Sequence, residues 1–386
     1  MPLATLFVLS AALHFYIGAR LVPALPGWGG VLVALLLVAS ALLVPMGLLS
    51  RRVTKPPAAD RLARLGLIAM GLFSSLLVLT VLRDVLLLAA DLVDLAIATP
   101  VPLAAIARAT AIAVPALALL FTALGYANAR RTARIVTVDI PVDRLPAALH
   151  GFRIVQISDI HVGPTIDARY LDAIVDAVNR LEPDLVAITG DLVDGSVAEL
   201  APQVAPLQRL VSRYGSFFVT GNHEYYSGVE GWVRQLQGLG IRVLHNEHVV
   251  IEREGAKLVL AGVTDYNGGH FDASHRSDPH AALAGAPRDA AFRILLAHQP
   301  RSAAAAAQAG FDLQLSGHTH GGQFLPWNFL VRLQQPFTAG LHAMDQLRVY
   351  VSRGTGYWGP PKRLGAPSEI TEIRLMGSAS RPAPAA

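Results

Sequence analysis

The stretch LQLSGHTHGGQFLPW, Leu313 to Trp327, decides how this chain is read. An apolar run with the alternation of a buried strand stops at Ser316-Gly317. Two histidines follow two residues apart, His318 and His320, with a glycine pair behind them. Such a pair is either a polar loop with no task or half of a metal site whose other ligands lie elsewhere. Taken alone, the stretch leaves both readings open.

Working outward, the same pattern recurs at four other strand ends. The run FRIVQIS (Phe152–Ser158) leads into Asp159 and His161, and DLVAITG (Asp184–Gly190) leads into Asp191 and Asp194. SFFVTG (Ser216–Gly221) leads into Asn222, His223 and Glu224, and FRILLA (Phe292–Ala297) ends in His298. Further strands are expected at Lys257–Val263, Leu347–Ser352 and Glu369–Leu375. Helical periodicity spans Tyr170–Leu181 and Val229–Leu239. Apolar strands alternating with helices predict an α/β sheet covered on both faces. In such folds ligands gather beyond the carboxyl ends of the strands. Singly, each fragment also reads as ordinary turn chemistry, since Gly-Asp and Gly-Asn are common turn pairs. Five strand ends each delivering oxygen or imidazole ligands to one rim do not, and His318 and His320 take their place in that constellation.

The chemistry follows from ligand type and number. Mixed carboxylate, amide and imidazole donors suit first-row transition ions, whereas all-oxygen sites suit Mg²⁺ or Ca²⁺. The seven ligands that the strand ends deliver to the rim as Asp, His, Asp, Asn, His, His and His exceed one tetrahedral ion and fit two. Paired ions clamp both oxygens of a phosphoryl displacement and generate hydroxide near neutral pH. No serine, lysine or cysteine nucleophile stands beside the set, which favours direct hydrolysis.

The remainder of the chain sets the context. Of 386 residues, 53% are hydrophobic and only 16% charged, too apolar for one soluble domain. The excess lies before about residue 128, where four stretches meet the roughly 20 apolar residues that a spanning helix needs: Leu3–Val22, Val31–Leu49, Leu65–Leu88 and Leu103–Ala123. The first lacks the basic start and cleavage site of a signal peptide and reads as a retained helix. Arg51, Arg52, Lys55, Arg61 and Arg64 lie between spans two and three, and Arg130, Arg131 and Arg134 follow span four. The opposite flanks are poor in positive charge, which predicts an inner-membrane protein with both termini and the large domain in the cytoplasm. The net charge of +4 comes mostly from these arginines and gives no reason to invoke nucleic acid. The absence of cysteine fits a reducing compartment. Within the spans, Arg83-Asp84 reads as an interfacial, snorkelling pair and His14 as a packing residue. The expected organisation is a transmembrane region over 1–128, an α/β domain over 134–376 and a disordered tail over 377–386.

DIH, GDLVD, GNHE, AHQP and GHTHGGQ, in this order, resemble the calcineurin-like metallophosphoesterases, and within them the bacterial membrane-associated phosphodiesterases that carry GHTHGGQ. The late stretch SRGTGYWGPPKRLGAPSEITEIRL is similar to that branch as well. The resemblance covers about residues 135–376 and implies a two-sheet sandwich flanked by helices. It implies that Asp159, His161 and His320 hold a first divalent ion and Asn222, His298 and His318 a second, with Asp191 bridging them. His223 would be unligated and catalytic, stabilising the transition state or protonating the leaving oxygen, with Asp194 orienting a ligand imidazole. Mn²⁺ is the expected metal, with Fe²⁺ or Zn²⁺ as alternatives.

The implied function is a membrane-anchored phosphoesterase that uses metal-activated hydroxide on a phosphodiester or pyrophosphate, with a lipid-linked substrate and membrane lipids as its partners. The competing readings are a phosphodiesterase for a soluble nucleotide or small ester, and a membrane sensor with an attached phosphoesterase domain. Two segments bear on substrate choice. Tyr266–Pro287, with His270, His275, His280 and Arg276, is either a solvated loop or a substrate lid. Phe324–Leu333 either covers a sheet edge or dips into the membrane interface.

Overall fold

A computed structural model of the chain describes residues 3–97 and 100–377. Two compact units result: one runs to Arg130 and includes Gly359–Leu364, the other comprises Arg131–Trp358 and the chain from Gly365 on.

The first unit is helical. Its elements are α1 (Leu3–Leu21), α2 (Gly27–Leu48), the short α3 (Ser50–Val53), α4 (Ala58–Ala96) and α5 (Leu103–Ala129). Four of these are long and apolar enough to cross a membrane. Helix α4 overruns its predicted span at both ends. Its 39 residues make a rod of about 58 Å, nearly twice the hydrocarbon thickness of a bilayer. Arg61 and Arg64, expected in a loop, therefore lie in its first turns. Small residues set the close packing of α2 on α4: a Cβ on Gly47 would stand 2.6 Å from the Gly66 Cα, the kind of approach that lets membrane helices pack without polar help.

Arg83 and Asp84 depart from the snorkelling expectation. Arg83 is buried and donates to Thr110 Oγ1 (3.2 Å) and to the Ala107 carbonyl (3.1 Å). Asp84 pairs with Arg83 at 3.6 Å and with Arg20 at 2.8 Å, and accepts from the Tyr16 hydroxyl at 2.7 Å. The expected Arg–Asp pair is therefore present, but its arginine is buried against α5 rather than extended to the interface. His14 packs as expected, stacked on Phe73 and bonded to Ser40 Oγ at 2.9 Å.

The second unit is a two-sheet sandwich. One sheet runs β1 (Arg134–Val142), β12 (Glu369–Gly377), β2 (Phe152–Ile157), β3 (Leu185–Ile188), β4 (Ser216–Phe218) and β5 (Arg242–Val243). The other runs β10 (Gly340–Met344), β11 (Leu347–Val351), β9 (Leu313–Ser316), β8 (Phe292–Leu296), β7 (Ala256–Gly262) and β6 (Glu247–Arg253). Strands β2 to β5 are mutually parallel, as are β7, β8, β9 and β11. Ile154, Leu185, Ala187 and Phe217 from the first sheet interlock with Leu260, Ile294, Leu313 and Leu315 from the second. Helices α6 (Ala168–Asn179), α7 (Val197–Val204), α8 (Asn222–Ser227), α9 (Val229–Gly238), α10 (Pro279–Ala282), α11 (Ala303–Ala309) and α12 (Trp327–Val331) complete the unit. The back of the second sheet is closed by Ala282, Ala303 and Ala306 on Val263, Leu295 and Val349.

Four strands escape the sequence reading: β1, β5, β6 and β10. They are edge or near-edge strands with exposed or mixed faces, so they lack the continuous apolar run by which the central strands announce themselves. Strand β12 continues through Gly377, and the rest of the expected tail lies outside the described residues.

Candidate metal centre

All five strand ends converge. Asp159 and His161 follow β2, Asp191 follows β3, Asn222 opens α8 beyond β4, His298 follows β8, and His318 and His320 follow β9. The two sheets thus contribute to one site from their carboxyl ends. Three trios offer ligand atoms within 4.8 Å of one another: Asp159 with His161 and His320, Asp191 with His298 and His318, and His161 with Asp194 and His223. In the first, the Nε2 atoms of His161 and His320 are 3.1 Å apart. In the second, His298 Nε2 and His318 Nδ1 are also 3.1 Å apart. Asp191 Oδ2 lies 3.2 Å from His298 Nε2 and 3.9 Å from His161 Nε2, between the first two trios.

The hydrogen bonds around the histidines leave ligand lone pairs facing inward. His298 Nδ1 donates to the Thr189 carbonyl at 2.8 Å, and His161 Nδ1 donates to Asp194 Oδ1 at 3.0 Å. Each imidazole therefore keeps its proton on the outer nitrogen and its lone pair on Nε2. Two oxygen acceptors of the set, Asp159 Oδ2 and Asn222 Oδ1, are buried without any hydrogen-bond partner. A buried, unpartnered acceptor costs free energy unless something cationic or protonated meets it. This donor set fits two divalent ions, and transition ions better than alkaline-earth ones.

Backbone conformation points the same way. Among the described residues eleven non-glycine positions have positive φ, and five of them are Asp159, His161, Asp191, His318 and His320. Left-handed backbone is unfavourable for side chains with a Cβ, and its concentration here marks turns shaped for the position of the side chain rather than for local stability. Close approach adds a further demand: a Cβ on Gly221 would stand 2.2 Å from Asp191 Oδ1, so only glycine lets the β4 turn meet that carboxylate.

A sequence model described as calcineurin-like phosphoesterase matches residues 152–322. An Aquifex aeolicus protein called an uncharacterized metallophosphoesterase is 33% identical over 246 residues, covering 63% of this chain and 92% of that one. The metallophosphoesterase YkuE of Bacillus subtilis, likewise uncharacterized, is 30% identical over 265 residues, 66% of this chain and 90% of its own. This chain belongs to the calcineurin-like phosphoesterase family. A Bos taurus transmembrane protein with metallophosphoesterase domain is 44% identical over 280 residues, 68% of this chain. The chain spans 63% of that relative's length.

In this phosphoesterase fold His223 stands outside the first two trios and shares the third with His161 and Asp194. Its Nδ1 donates to Asp194 Oδ1 at 2.6 Å, and its Nε2 lies 4.0 Å from Asp191 Oδ2. Asp194 therefore holds two imidazoles, those of His161 and His223, where the sequence suggested one. Burial works to lower the His223 pKa, but the hydrogen bond to Asp194 and the charges of Asp191 and Asp194 outweigh it and lift the pKa to about 9. Asp194 is half-buried, and although desolvation opposes it, the charge of His161 and the bonds from both histidines hold it well below the usual carboxylate range. His318 goes the opposite way: burial and the neighbouring His298 push it down to about 3, which keeps its ring neutral and ligand-ready.

Several residues of the site were not singled out from sequence. Glu224 is fully enclosed, and its carboxylate accepts from the backbone N–H of Gly221 (2.7 Å), Asp191 (3.0 Å) and Leu192 (2.7 Å). It thereby ties the β3 turn to the β4 turn. Burial and the Asp191 charge raise its pKa to about 7 against those three bonds. The signal was available in GNHE, a glutamate three residues into a helix start, where it reads as a capping residue. Asp265, after β7, is buried and accepts from Gln299 Nε2 at 3.0 Å, supporting the residue next to His298. Tyr226 and Trp358 set their rings 5.3 and 5.7 Å from that of His223, and Phe271 lies 5.7 Å from Tyr226. No motif marks this aromatic rim, because its members come from three separate segments.

Proposed function

We propose that the protein is a membrane-anchored dinuclear phosphoesterase that hydrolyses a phosphodiester or pyrophosphate bond in a lipid-linked substrate. The membrane region is residues 1–128 and the catalytic domain residues 134–376, on the cytoplasmic side of the inner membrane. Asp159, His161 and His320 would hold one ion, Asn222, His298 and His318 the other, and Asp191 both. The observation that carries the reading is the pair of orphaned buried acceptors, Asp159 Oδ2 and Asn222 Oδ1, facing two inward-turned histidine pairs.

Two bound dications, manganese by preference, would supply hydroxide at neutral pH and neutralise phosphoryl charge. The chain's own groups do the rest. His223, its Nδ1 fixed by Asp194, keeps Nε2 pointed at the site, and the Asp194 bond and charge favour its protonated form. It delivers that proton to the departing oxygen, or stabilises the charge that develops on it. Asp194 keeps both His161 and His223 in the orientation their roles require. Glu224 holds the Asp191 turn against the Asn222 turn, so that carboxylate and amide reach the same space. The rim of Tyr226, Trp358 and Phe271 offers an apolar surface beside the leaving-group histidine, on which an acyl portion of the substrate would rest.

The test is hydrolysis by the purified full-length protein. Activity on bis(4-nitrophenyl) phosphate should require a divalent transition metal, Mn²⁺ giving the highest rate, and should vanish on chelation. Full activity after exhaustive chelation would remove the metal reading. Preference for a soluble nucleotide diester over a lipid-borne one would remove the lipid reading and leave the chemistry intact.

A further inference from the structure

The segment directly after the last histidine ligands is unusual for a domain surface. Residues Leu325 to Leu333 carry α12, and no residue of that helix is buried. Phe329 is 64% exposed and Leu333 81%, with Leu325, Trp327 and Leu330 exposed beside them. Between Leu313 and Met344 the chain contains no aspartate or glutamate, and Arg332 stands among the apolar residues. Large apolar side chains clustered in this way mark an interaction site rather than ordinary surface.

We propose that this crest docks into the interface of the bilayer that the chain's own helices span. A tryptophan, a phenylalanine and leucines beside an arginine, with no acidic residue, make the composition that settles at the level of lipid headgroups. The tether keeps that surface within reach. Only residues 130–133 separate the end of α5 from the start of β1, and five Cα steps extend at most about 18 Å. A tether this short confines the catalytic unit to the neighbourhood of the bilayer, where lipid is at a higher effective concentration than any soluble partner. The crest is also joined to the site. Gln323 clasps the backbone of Trp358, its Nε2 donating to the Trp358 carbonyl and its Oε1 accepting from the Trp358 N–H, both at 2.9 Å. Trp358 in turn edges onto His223. The crest is thus linked through Gln323 and Trp358 to the aromatic rim beside the candidate metal ligands. This deepens the lipid-linked reading above, but docking itself can be measured without any substrate.

The chain has no cysteine, so a single introduced thiol is labelled uniquely. Leu330→Cys, Leu333→Cys and, away from the crest, Val211→Cys would each carry an NBD fluorophore on the full-length protein. Each is reconstituted in phosphatidylcholine–phosphatidylglycerol vesicles with or without nitroxide-bearing lipid. The labels at 330 and 333 should emit at shorter wavelength and be quenched by the nitroxide several-fold more strongly than the label at 211. Equal, water-like emission at all three positions would overturn the proposal. So would labels at 330 and 333 that are shielded from water yet unquenched by lipid, since a protein partner or a second copy would then be the occupant. As a second arm, Phe329→Ser with Leu330→Ser should cut hydrolysis of a vesicle-borne phosphatidyl 4-nitrophenyl ester several-fold while sparing bis(4-nitrophenyl) phosphate. Docked labels in a protein that cleaves only the soluble ester would leave docking standing and remove the lipid-substrate reading.

Discussion

The helical unit and the catalytic unit both bury ionisable side chains, and they treat them in opposite ways. Arg83 and His14, inside the apolar helices, have ring or guanidinium nitrogens met by Thr110 and the Ala107 carbonyl, and by Ser40 and the Ser10 carbonyl. Their backbone is ordinary helix. In the catalytic unit, Asp159 and Asn222 keep acceptors with no partner, imidazole nitrogens crowd to 3.1 Å in two pairs, and five of the candidate ligands sit at positive φ. A buried polar group that is satisfied by its neighbours serves packing. Convergent groups left unsatisfied, on backbone bent to bring them together, await something else. An intramembrane ionisable residue is a functional candidate by default; here the hydrogen-bond ledger assigns Arg83 and His14 to structure and the strand-end cluster to chemistry.

Substitutions in the two regions should differ accordingly, and the largest effect is expected at Asp191. Its carboxylate lies between the first two trios, so Asp191→Asn should weaken both ions together and reduce turnover more than any other single ligand change. Retention of two ions in that variant, measured by elemental analysis after dialysis, would show that the carboxylate bridges nothing.

His223→Ala comes next. The protein should fold and keep both ions, while kcat falls by roughly 10²–10⁴, the usual contribution of a positioned acid. The loss should shrink for nitrophenyl esters, whose leaving group needs little protonation, and be greatest for alkyl esters. Loss of an ion, or equal losses on both esters, would contradict the role assigned to His223.

Asp194→Asn should cost about 10–100-fold, the range for a residue that orients ligands from behind. It also carries a pH signature. The acid form of His223 is the working form, so activity on alkyl esters should decline as pH rises through the His223 pKa. Bound dications set that limb below the ion-free value of about 9. Removing the Asp194 charge and exchanging its carboxylate acceptor for a weaker amide oxygen lowers the pKa further, so the alkaline limb should move to lower pH. A limb that stays in place would mean that Asp194 does not act through His223.

The smallest effect belongs to the helices. Arg83→Met should lower thermal stability in detergent by roughly 1 kcal/mol, the scale of polar contacts between membrane helices, and leave kcat unchanged. A large loss of turnover would promote the intramembrane cluster from packing to function.

Much of this contrast was legible in the sequence, for physical reasons. Central parallel strands are apolar on both faces, so β2, β3, β8 and β9 stand out, and the residues just past them had to carry the site. Edge strands such as β1 and β6 alternate with solvent and left no such mark. The partners of Arg83 and Asp84 were hidden because they sit on other helices, at Thr110 and Arg20, where only packing brings them near. Glu224 was visible as a residue but not as a clamp, since its three donors come from two turns about 30 residues apart in sequence. The aromatic rim of Tyr226, Phe271 and Trp358 is likewise a product of the fold alone.

The central claim is that two ions sit side by side in one site, and low-temperature electron paramagnetic resonance of the manganese-loaded full-length protein tests it most directly. Two Mn²⁺ ions sharing the Asp191 carboxylate should be exchange-coupled, giving a multiline spectrum at two equivalents of bound metal. His298→Ala, which strips one trio of a ligand, should convert this to the six-line signal of an isolated ion at one equivalent. A six-line spectrum from the wild-type protein at saturating manganese, or binding that stops at one equivalent, would contradict the two-ion account.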